Sequence, residues 1–247
     1  MDRWKYFSII HAEHTFWNPL SEAKVEEIIG LLRLPAGGRI LDMACGAGEF
    51  LVRVVQRYGV RGTGVDVSPP CVESARARVA AAGLAPVIDI IESDGAKYEA
   101  PAESFEATFC LGASWIWGGY RGTLEALKEW TKPGGIILSG EPFWRETPSP
   151  AYLESEHLQR QEFGTHLDNV RTGTELGLRF LHAIVSSEDD WDRYEGLHSL
   201  SAERYALEHP DDPDLPDLFQ RVRPYPEAYL RWGRRELGWA VYMFMKP

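Results

Sequence analysis

The chain of 247 residues is long enough for one large domain with an elaboration and for a sizeable buried core. Apolar residues make up 44% and charged residues 26%, which excludes collagen-like, low-complexity and wholly disordered proteins. Acidic side chains number 37 against 26 basic ones, giving a formal charge of -11 that no basic patch offsets, so we expect no nucleic-acid partner.

Cysteine content and hydropathy point to a cytoplasmic protein. The three cysteines, Cys45, Cys71 and Cys110, are odd in number and show no Cys-x-x-Cys spacing, which indicates neither a disulfide framework nor a thiolate zinc site. The sequence has no apolar run long enough to predict a membrane span, and its first residues do not have the pattern of a signal peptide. We therefore expect no membrane partner.

The first half of the chain alternates between strands and helices. Residues 21–34 carry apolar side chains at helical spacing behind a Ser21 N-cap, and Pro35 with the glycines after it ends that helix. The strands that follow are predicted at 39–44, 62–67, 87–91, 105–111 and 136–140, with helices at 50–58, 70–82 and 123–130. This alternation predicts a doubly wound α/β fold with a mostly parallel sheet.

Prolines interrupt the chain after the fifth predicted strand, at Pro142, Pro148 and Pro150. The stretch 152–165 is typical of a polar helix with few core positions, which we interpret as a lid. Two more strands are predicted at 181–187 and 239–245, and two more helical stretches at 190–208 and 216–235. The complete sheet is therefore expected to have seven strands.

A glycine-rich turn between the first strand and its helix is the strongest local signal. Gly46 and Gly48 let the backbone approach a ligand closely, and the free N–H groups of the helix that follows can bind an anionic group. Asp66 ends the next strand, where an acid can accept hydrogen bonds from both hydroxyls of a ribose. Together these residues predict a nucleoside ligand.

Two cofactor classes share that geometry. A dinucleotide fingerprint requires Gly-x-Gly-x-x-Gly, but Leu51 stands where its third glycine would be. Asp42, at the end of the first strand, can instead hold a cationic amino group such as an amino acid joined to adenosine would present. The pattern favours S-adenosylmethionine over NAD.

Four segments, DMACGAGEF, GVDVS, ESDGAKY and FCLGASWIWGG, follow one another in an order that resembles the motifs of class I S-adenosylmethionine-dependent methyltransferases. Outside them, EHTFWNPLS, GEPFW, WDRYE and RELGWAVYMF look similar to a little-characterised bacterial subgroup of these enzymes. Two alternatives stay open beside an enzyme of this family. One is a module that binds S-adenosylmethionine or S-adenosylhomocysteine without catalysis, and the other is an NAD-dependent oxidoreductase.

The resemblance implies a Rossmann-like form of the sheet and a single domain, with an N-terminal helical cap and lid insertions. The cap is residues 1–34, the cofactor-binding half 35–140, and the substrate-binding and lid half 141–247. Asp42, Gly46 and Gly48 would hold the methionine part, Asp66 the ribose, and Asp94 with Gly95 the adenine. The cofactor-lining residues that the resemblance implies are Asp42, Ala44, Gly46, Gly48, Asp66, Val67, Asp94, Gly95, Leu111, Gly112 and Ala113.

The methyl acceptor is expected to be a small molecule. Enzymes that methylate amino groups of nucleic acids carry an Asp/Asn-Pro-Pro-aromatic turn after the fourth strand, whereas this chain reads LGASW there. Trp115, Trp117 and Trp144 follow two strand ends, where their rings can line a pocket for a flat molecule or an ammonium group. The acidic chain favours a neutral or cationic acceptor over a phosphorylated one.

Transfer from a sulfonium is an in-line displacement that requires the acceptor to be held close and, where it is protonated, relieved of its proton. His14 and Glu141 are the candidate catalytic residues for that proton, because imidazole titrates near neutral pH and Glu141 ends the fifth strand. His11 and His14 are spaced to share a helical face, but no third ligand is identifiable, so we expect no metal.

The last predicted helix carries three arginines, Arg231, Arg234 and Arg235. They are compatible with a phosphate clamp, although such a group is more often a solvated face. The sequence alone leaves these two interpretations open.

Overall fold

A computed structural model describes all 247 residues of the chain. Five strands run parallel to one another at the centre of the molecule. In chain order they are β1 (Arg39–Met43), β2 (Arg61–Asp66), β3 (Ile88–Glu92), β4 (Phe105–Leu111) and β5 (Thr131–Trp144). Two later strands, β6 (Arg179–Val185) and β7 (Leu237–Met245), complete the sheet.

The seven strands form one sheet in the order β3-β2-β1-β4-β5-β7-β6. β7 inserts between β5 and β6 and pairs with both in the antiparallel sense. The predicted seven-stranded, mostly parallel α/β sheet is thus confirmed. The chain order reverses between β1 and β4, and in doubly wound sheets ligands bind at the carboxyl ends of the strands beside such a reversal.

Helices cover both faces of the sheet and add a layer at its carboxyl edge. They are α1 (Arg3–Ile10), α2 (Glu22–Leu31), α3 (Glu49–Tyr58), α4 (Pro69–Ala81), α5 (Tyr120–Trp130), α6 (Pro150–Ser155), α7 (His166–Glu175), α8 (Glu188–Glu208), α9 (Leu215–Val222), α10 (Tyr225–Ala228) and α11 (Arg234–Glu236). None of them combines the length and the apolar character that crossing a bilayer requires.

Each face of the sheet has its own apolar core. One cluster joins α2 and α3 to the sheet, with Ile28 and Leu51 fully buried in it. The other lies under α5, where Leu124 and Leu127 are fully buried. A smaller third cluster packs α1 against α8 and α9.

The prediction of a single polar helix over 152–165 is wrong. Ser149 caps a short helix, α6, that ends at Ser155, and a new helix, α7, begins after Thr165. Thr165 and Asp168 form a capping box, each side chain bonding to the other's backbone N–H. That Thr-x-x-Asp pattern was readable in the sequence and marks the boundary that the prediction missed.

The helix expected over 216–235 is broken into pieces. α9 and α10 are separate, and a π-helical turn at Tyr229–Gly233 connects α10 to α11. Pro224 and Pro226 cannot donate backbone hydrogen bonds within a continuous helix, which accounts for the break. The KPGG turn before the fifth strand lies within β5, where the pairing with β4 shifts register between Phe105 and Ala107.

Candidate active site

The turn between β1 and α3 has the backbone that its glycines predict. Ala44, Gly46 and Gly48 all have positive φ angles, of 54°, 54° and 77°. Gly48 is the N-cap of α3, and a Cβ atom there would lie 3.1 Å from the Cβ of Ala75 on α4. The turn therefore exposes main-chain N–H groups instead of side chains at the N-terminus of α3.

Asp66 connects the end of β2 to this turn. One oxygen of its carboxylate accepts a hydrogen bond from the Gly46 N–H at 2.9 Å, and the other accepts from the Ser68 N–H at 2.8 Å. Each oxygen has lone pairs left for a further donor. Burial raises the pKa of Asp66, while these backbone bonds oppose the rise. The carboxylate is thus fixed in orientation and still able to accept hydrogen bonds from a ligand.

Leu51 shows how this turn departs from a dinucleotide-binding turn. In the latter, a glycine at this helix position permits close packing of helix and strand. Here the glycines are on the strand: Cβ atoms on Gly62 and Gly64 would lie 3.0 Å and 2.9 Å from the Leu51 side chain. Leu51 is fully buried in the space that these two glycines leave.

Asp42 is a buried carboxyl at the end of β1, with only 3% of its surface exposed. Burial raises its pKa to about 8, and the neighbouring Asp66 carboxylate adds to the rise. A cation beside it reverses both effects, because it stabilises the ionised form. Asp42 is therefore chemically suited to an ammonium group of a ligand.

The predicted residues after β3 and β4 lie in the same region. The Asp94 side chain accepts a hydrogen bond from the Ala96 N–H at 3.1 Å, which shapes the turn after β3. Gly95 lies in that turn, where a Cβ atom would be 3.2 Å from the Ile116 side chain. Gly112 follows β4 with a φ of 90°, a conformation that favours glycine.

These groups surround one cavity of about 870 Å³ at the carboxyl ends of the central strands. All eleven residues that the sequence assigned to the cofactor line it. The volume is near the upper end of the range of about 300 to 1,000 Å³ that is usual for ligand and cofactor sites. The donor set, with free N–H groups on one side and carboxylates on the other, fits a nucleoside joined to an amino acid.

Another wall of the cavity comes from the predicted N-terminal cap and from α8, through residues that the sequence did not identify as site residues. Trp4, Phe7 and His11 line the cavity along one face of α1, joined by Trp17 and by Tyr194 of α8. The spacing of the α1 residues, at i, i+3 and i+7, is a helical face and was a usable signal. Their approach to Tyr194 depends on tertiary packing.

Of the three tryptophans predicted to contact an acceptor, the structure brings only Trp115 to the cavity, where 75% of its surface is exposed. Trp117 lies edge-on against Trp130, with ring centroids 6.2 Å apart. Trp144 is buried, and its indole N–H donates to the Arg160 carbonyl at 2.9 Å. Trp117 and Trp144 are absent from the cavity wall.

Neither candidate for the proton lines the cavity. The Nε2 of His14 donates to the Tyr194 carbonyl at 2.9 Å, and burial lowers the pKa of His14 to about 4. Glu141 is 2% exposed on β5; burial raises its pKa to about 7, and its Oε2 has no hydrogen-bond partner. The histidine that lines the cavity is His11, one turn earlier than His14.

The three C-terminal arginines pair with carboxylates outside the cavity. Arg231 pairs with Glu227 at 2.7 Å, Arg234 with Asp192 at 2.9 Å, and Arg235 with Glu146. The structure thus favours the solvated-face interpretation over a phosphate clamp. No group of three or more His, Cys, Asp or Glu side chains is arranged to hold a metal ion.

Comparison with known proteins agrees with this geometry. The family described as "Methyltransferase domain" matches residues 40–135. A solved structure of a SAM-dependent methyltransferase from Thiobacillus denitrificans, in complex with S-adenosylhomocysteine, shares 34% identity with a TM-score of 0.90 and full coverage of both chains. The uncharacterised protein YjhP of Escherichia coli K12 is 32% identical over 98% of each chain. The 27-O-demethylrifamycin SV methyltransferase of Amycolatopsis mediterranei S699 is 26% identical over 95% of this chain and 89% of its own.

Proposed function

The chain belongs to the S-adenosylmethionine-dependent methyltransferases, and on that premise we propose that it methylates a small molecule held in the cavity. One observation carries the proposal: the cofactor-lining residues and an aromatic wall enclose the same cavity of about 870 Å³. A small acceptor fits beside the cofactor in such a volume. The relative from Amycolatopsis mediterranei, whose name gives 27-O-demethylrifamycin SV as its substrate, supports the same class.

We propose that each part of the cofactor has its own set of residues. Asp42 binds the ammonium group, and the turn at Gly46 and Gly48 lets the carboxylate approach the free N–H groups at the start of α3. Asp66 accepts hydrogen bonds from the ribose hydroxyls through the lone pairs that its two backbone bonds leave free. Asp94 and Gly95 hold the adenine, and Leu111 to Ala113 border the position of the reacting group.

S-Adenosylmethionine supplies a methyl group activated by a positively charged sulfur. The protein's task is then to bind the acceptor in line with that group, to orient it and to exclude water. The wall of α1 and Tyr194 serves these purposes, because its aromatic rings fill the side of the cavity away from the strands. No covalent intermediate with the protein is needed.

We also propose a cytoplasmic site of action, which the three free cysteines support because cytosolic proteins keep their thiols reduced.

Calorimetric titration with S-adenosylmethionine, S-adenosylhomocysteine and NAD tests the cofactor half. We expect saturable binding of the first two and no binding of NAD. Asp66→Asn should weaken S-adenosylhomocysteine binding by about 1 to 3 kcal/mol, because it removes charged hydrogen-bond acceptors. Asp89→Asn, an exposed position on β3, removes the same charge away from the cavity and should leave the affinity unchanged.

Release of S-adenosylhomocysteine in the presence of candidate acceptors tests the acceptor half. The panel contains small aromatic alcohols, amines and carboxylic acids, with a peptide mixture and an oligonucleotide as macromolecular acceptors. We expect turnover with small molecules alone. Turnover confined to the peptides or the oligonucleotide contradicts the proposal, and cofactor binding without any turnover favours a binding module.

A further inference from the structure

Three histidines cluster where α1 meets α8. The ring centroids of His11, His14 and His198 lie 4.7 to 5.0 Å from one another. Of the three, only His11 lines the cavity, beside Tyr194. His11 also stacks on Trp17, with ring centroids 4.3 Å apart, so its ring plane is fixed. This is the one imidazole that the fold presents to an acceptor.

The hydrogen bonds of His11 define where its proton lies. Its Nδ1 is 3.0 Å from the Phe7 carbonyl oxygen, which can only accept, so Nδ1 carries the hydrogen. The Nε2 of a neutral His11 therefore has a free lone pair. That atom lies 3.3 Å from the Tyr194 hydroxyl and 3.3 Å from the Nε2 of His198. The Tyr194 hydroxyl can donate a proton to this lone pair, and the Nε2 of His198 can share one with it.

His198 connects this nitrogen to a carboxylate. The Nδ1 of His198 is 3.5 Å from the Glu195 carboxylate, an arrangement that favours a hydrogen on Nδ1. The Nε2 of His198 then also presents a lone pair to the Nε2 of His11. Two facing lone pairs 3.3 Å apart can share one added proton, and Glu195 compensates its charge.

The charges around His11 keep it neutral before reaction. Burial, helped by the neighbouring His198 and His14, lowers its pKa to about 3. The other charged groups near the cluster are Arg193 beside His14 and Glu195 beside His198. Burial raises the pKa of Tyr194, so its hydroxyl keeps its proton. A neutral imidazole adds no positive charge near a sulfonium.

The wall of the cavity that we propose contacts the acceptor is called the acceptor wall here. It is formed by Trp4, Phe7, His11, Trp17 and Tyr194, and it has aromatic rings but no carboxylate. The acidic residues of the cavity lie on the glycine-rich turn and the strand ends, on the cofactor side. They are Asp42, Glu49, Asp66 and Asp94. The charged side chain on the opposite wall is that of Arg3. A cationic acceptor would find no counter-ion there, whereas a flat neutral molecule would be surrounded by rings.

We propose that the acceptor is an aromatic alcohol and that His11, assisted by His198, accepts its hydroxyl proton through Tyr194. This inference rests on the proposed methyl transfer. The acceptor oxygen bonds to the methyl carbon as the carbon–sulfur bond breaks, and that electron pair stays on sulfur. The O–H bond breaks, its electrons remain on oxygen, and the proton passes to the Tyr194 hydroxyl, which gives its own proton to the Nε2 of His11 to be shared with His198. A weak base is sufficient, because a hydroxyl becomes strongly acidic as its oxygen is alkylated.

Two naphthols of similar shape test the proton step at pH 7. 2-Naphthol keeps its proton at this pH, whereas a nitronaphthol whose nitro group is conjugated with the hydroxyl and lowers its pKa below this pH is already ionised. We expect His11→Asn to lower kcat for 2-naphthol by about 100-fold or more, which is the usual contribution of a general base. The same variant should change kcat for the nitronaphthol by less than about threefold, because no proton remains to be removed.

His182→Asn is the matched control, since His182 is exposed on β6 outside the cavity. It should leave both rates unchanged. Unchanged affinity of His11→Asn for S-adenosylhomocysteine shows that the variant is folded, and its activity on 2-naphthol should recover as the pH rises. Equal slowing of both naphthols by His11→Asn overturns the role of His11.

The parent protein tests the acceptor class without any substitution. Loaded with S-adenosylhomocysteine, it should bind 2-naphthol saturably, as followed by naphthol fluorescence, and should not bind 1-naphthylmethylamine or 2-naphthoate. Preference for the amine or the carboxylate, or no binding of 2-naphthol, overturns the proposed class while the cofactor assignment stands. Failure to bind S-adenosylmethionine itself would instead refute the proposed function.

Discussion

The side-chain amide of Asn18 lies directly over Gly112, so that a Cβ atom on Gly112 would be 2.8 Å from it. With its nitrogen facing the main chain, the amide donates to the carbonyls of Trp17 at 3.1 Å and Leu111 at 3.0 Å. The N-terminal segment is thus tied to the carboxyl end of β4. Both residues line the cavity, so this contact joins its N-terminal wall to the wall formed by the strand ends.

Gly112→Ala should disrupt that contact. The added methyl group collides with Asn18, and a φ of 90° is strained for any residue with a Cβ. We expect lower affinity for S-adenosylhomocysteine and a lower Tm in differential scanning calorimetry. Asn18→Ala combined with Gly112→Ala should cost less than the sum of the two single variants, because the collision is removed and the two amide hydrogen bonds are lost only once. Losses that are additive in the double variant would show that the two residues are not coupled.

Gly46→Ala separates backbone strain from ligand contact. No protein atom lies within 4 Å of a Cβ at Gly46, so the folded protein has room for it, and the positive φ costs about 1 to 2 kcal/mol. Gly83 has a positive φ and open space as well, but it lies outside the cavity. Gly83→Ala should therefore match the stability loss without affecting binding, whereas Gly46→Ala should also lose cofactor affinity in calorimetry. Equal affinity of the two variants would mean that the cofactor does not approach Gly46.

The raised pKa of Asp42 predicts a pH dependence of binding. The free protein must lose the Asp42 proton to bind an ammonium group, so affinity for S-adenosylhomocysteine should rise with pH below about 8. The rise approaches tenfold per pH unit, and binding at pH 7 should release a proton into the buffer. 5′-Methylthioadenosine, which has no ammonium group, is the control and should not show this rise. A flat profile for both ligands would remove Asp42 from the binding site.

The raised pKa of Asp42 also predicts that the stability of the free protein falls with rising pH, whereas its ligand affinity rises. Its folded-state pKa of about 8 exceeds the ordinary value, so folding favours the protonated carboxyl. The stabilisation that results is complete below the ordinary pKa of about 4 and is lost as the pH rises to about 8. Asp42→Asn should therefore raise the free energy of unfolding more at pH 8 than at pH 5, measured by urea denaturation without ligand. The same variant should bind S-adenosylhomocysteine more weakly.

Truncation of Trp115 should change KM for an acceptor, whereas truncation of Trp144 should change the free energy of unfolding. Trp115→Ala should cost little stability because the ring is 75% exposed, yet it should raise KM for an acceptor by removing part of the cavity wall. Trp144→Ala should lower the free energy of unfolding by about 3 to 5 kcal/mol, because the ring is buried. The fraction that folds should keep the parent KM. A higher KM in Trp144→Ala alone would reverse these two assignments.

The cofactor wall of the cavity could be predicted from the sequence because its parts are local. Gly46 and Gly48 are confined to one strand-to-helix turn, and Asp42 and Asp66 stand at the ends of neighbouring parallel strands. In a parallel sheet those ends meet at one edge, so their position along the chain fixes their position in space. All eleven predicted cofactor residues line the cavity for this reason.

The acceptor wall was decided by tertiary structure alone. His11 and Tyr194 are far apart in the sequence and meet because α1 packs on α8 through a small apolar cluster that includes Ile10 and Ala202. Which helical face points to the cavity depends on that packing, and so His11 lines it while His14 does not. The sequence determined the sheet and the cofactor-lining turns, because backbone geometry and short-range patterns specify them. The spacing of Trp4, Phe7 and His11 marks one face of α1, but the meeting of that face with Tyr194 of α8 arises from long-range burial of apolar helix faces, which no local pattern records.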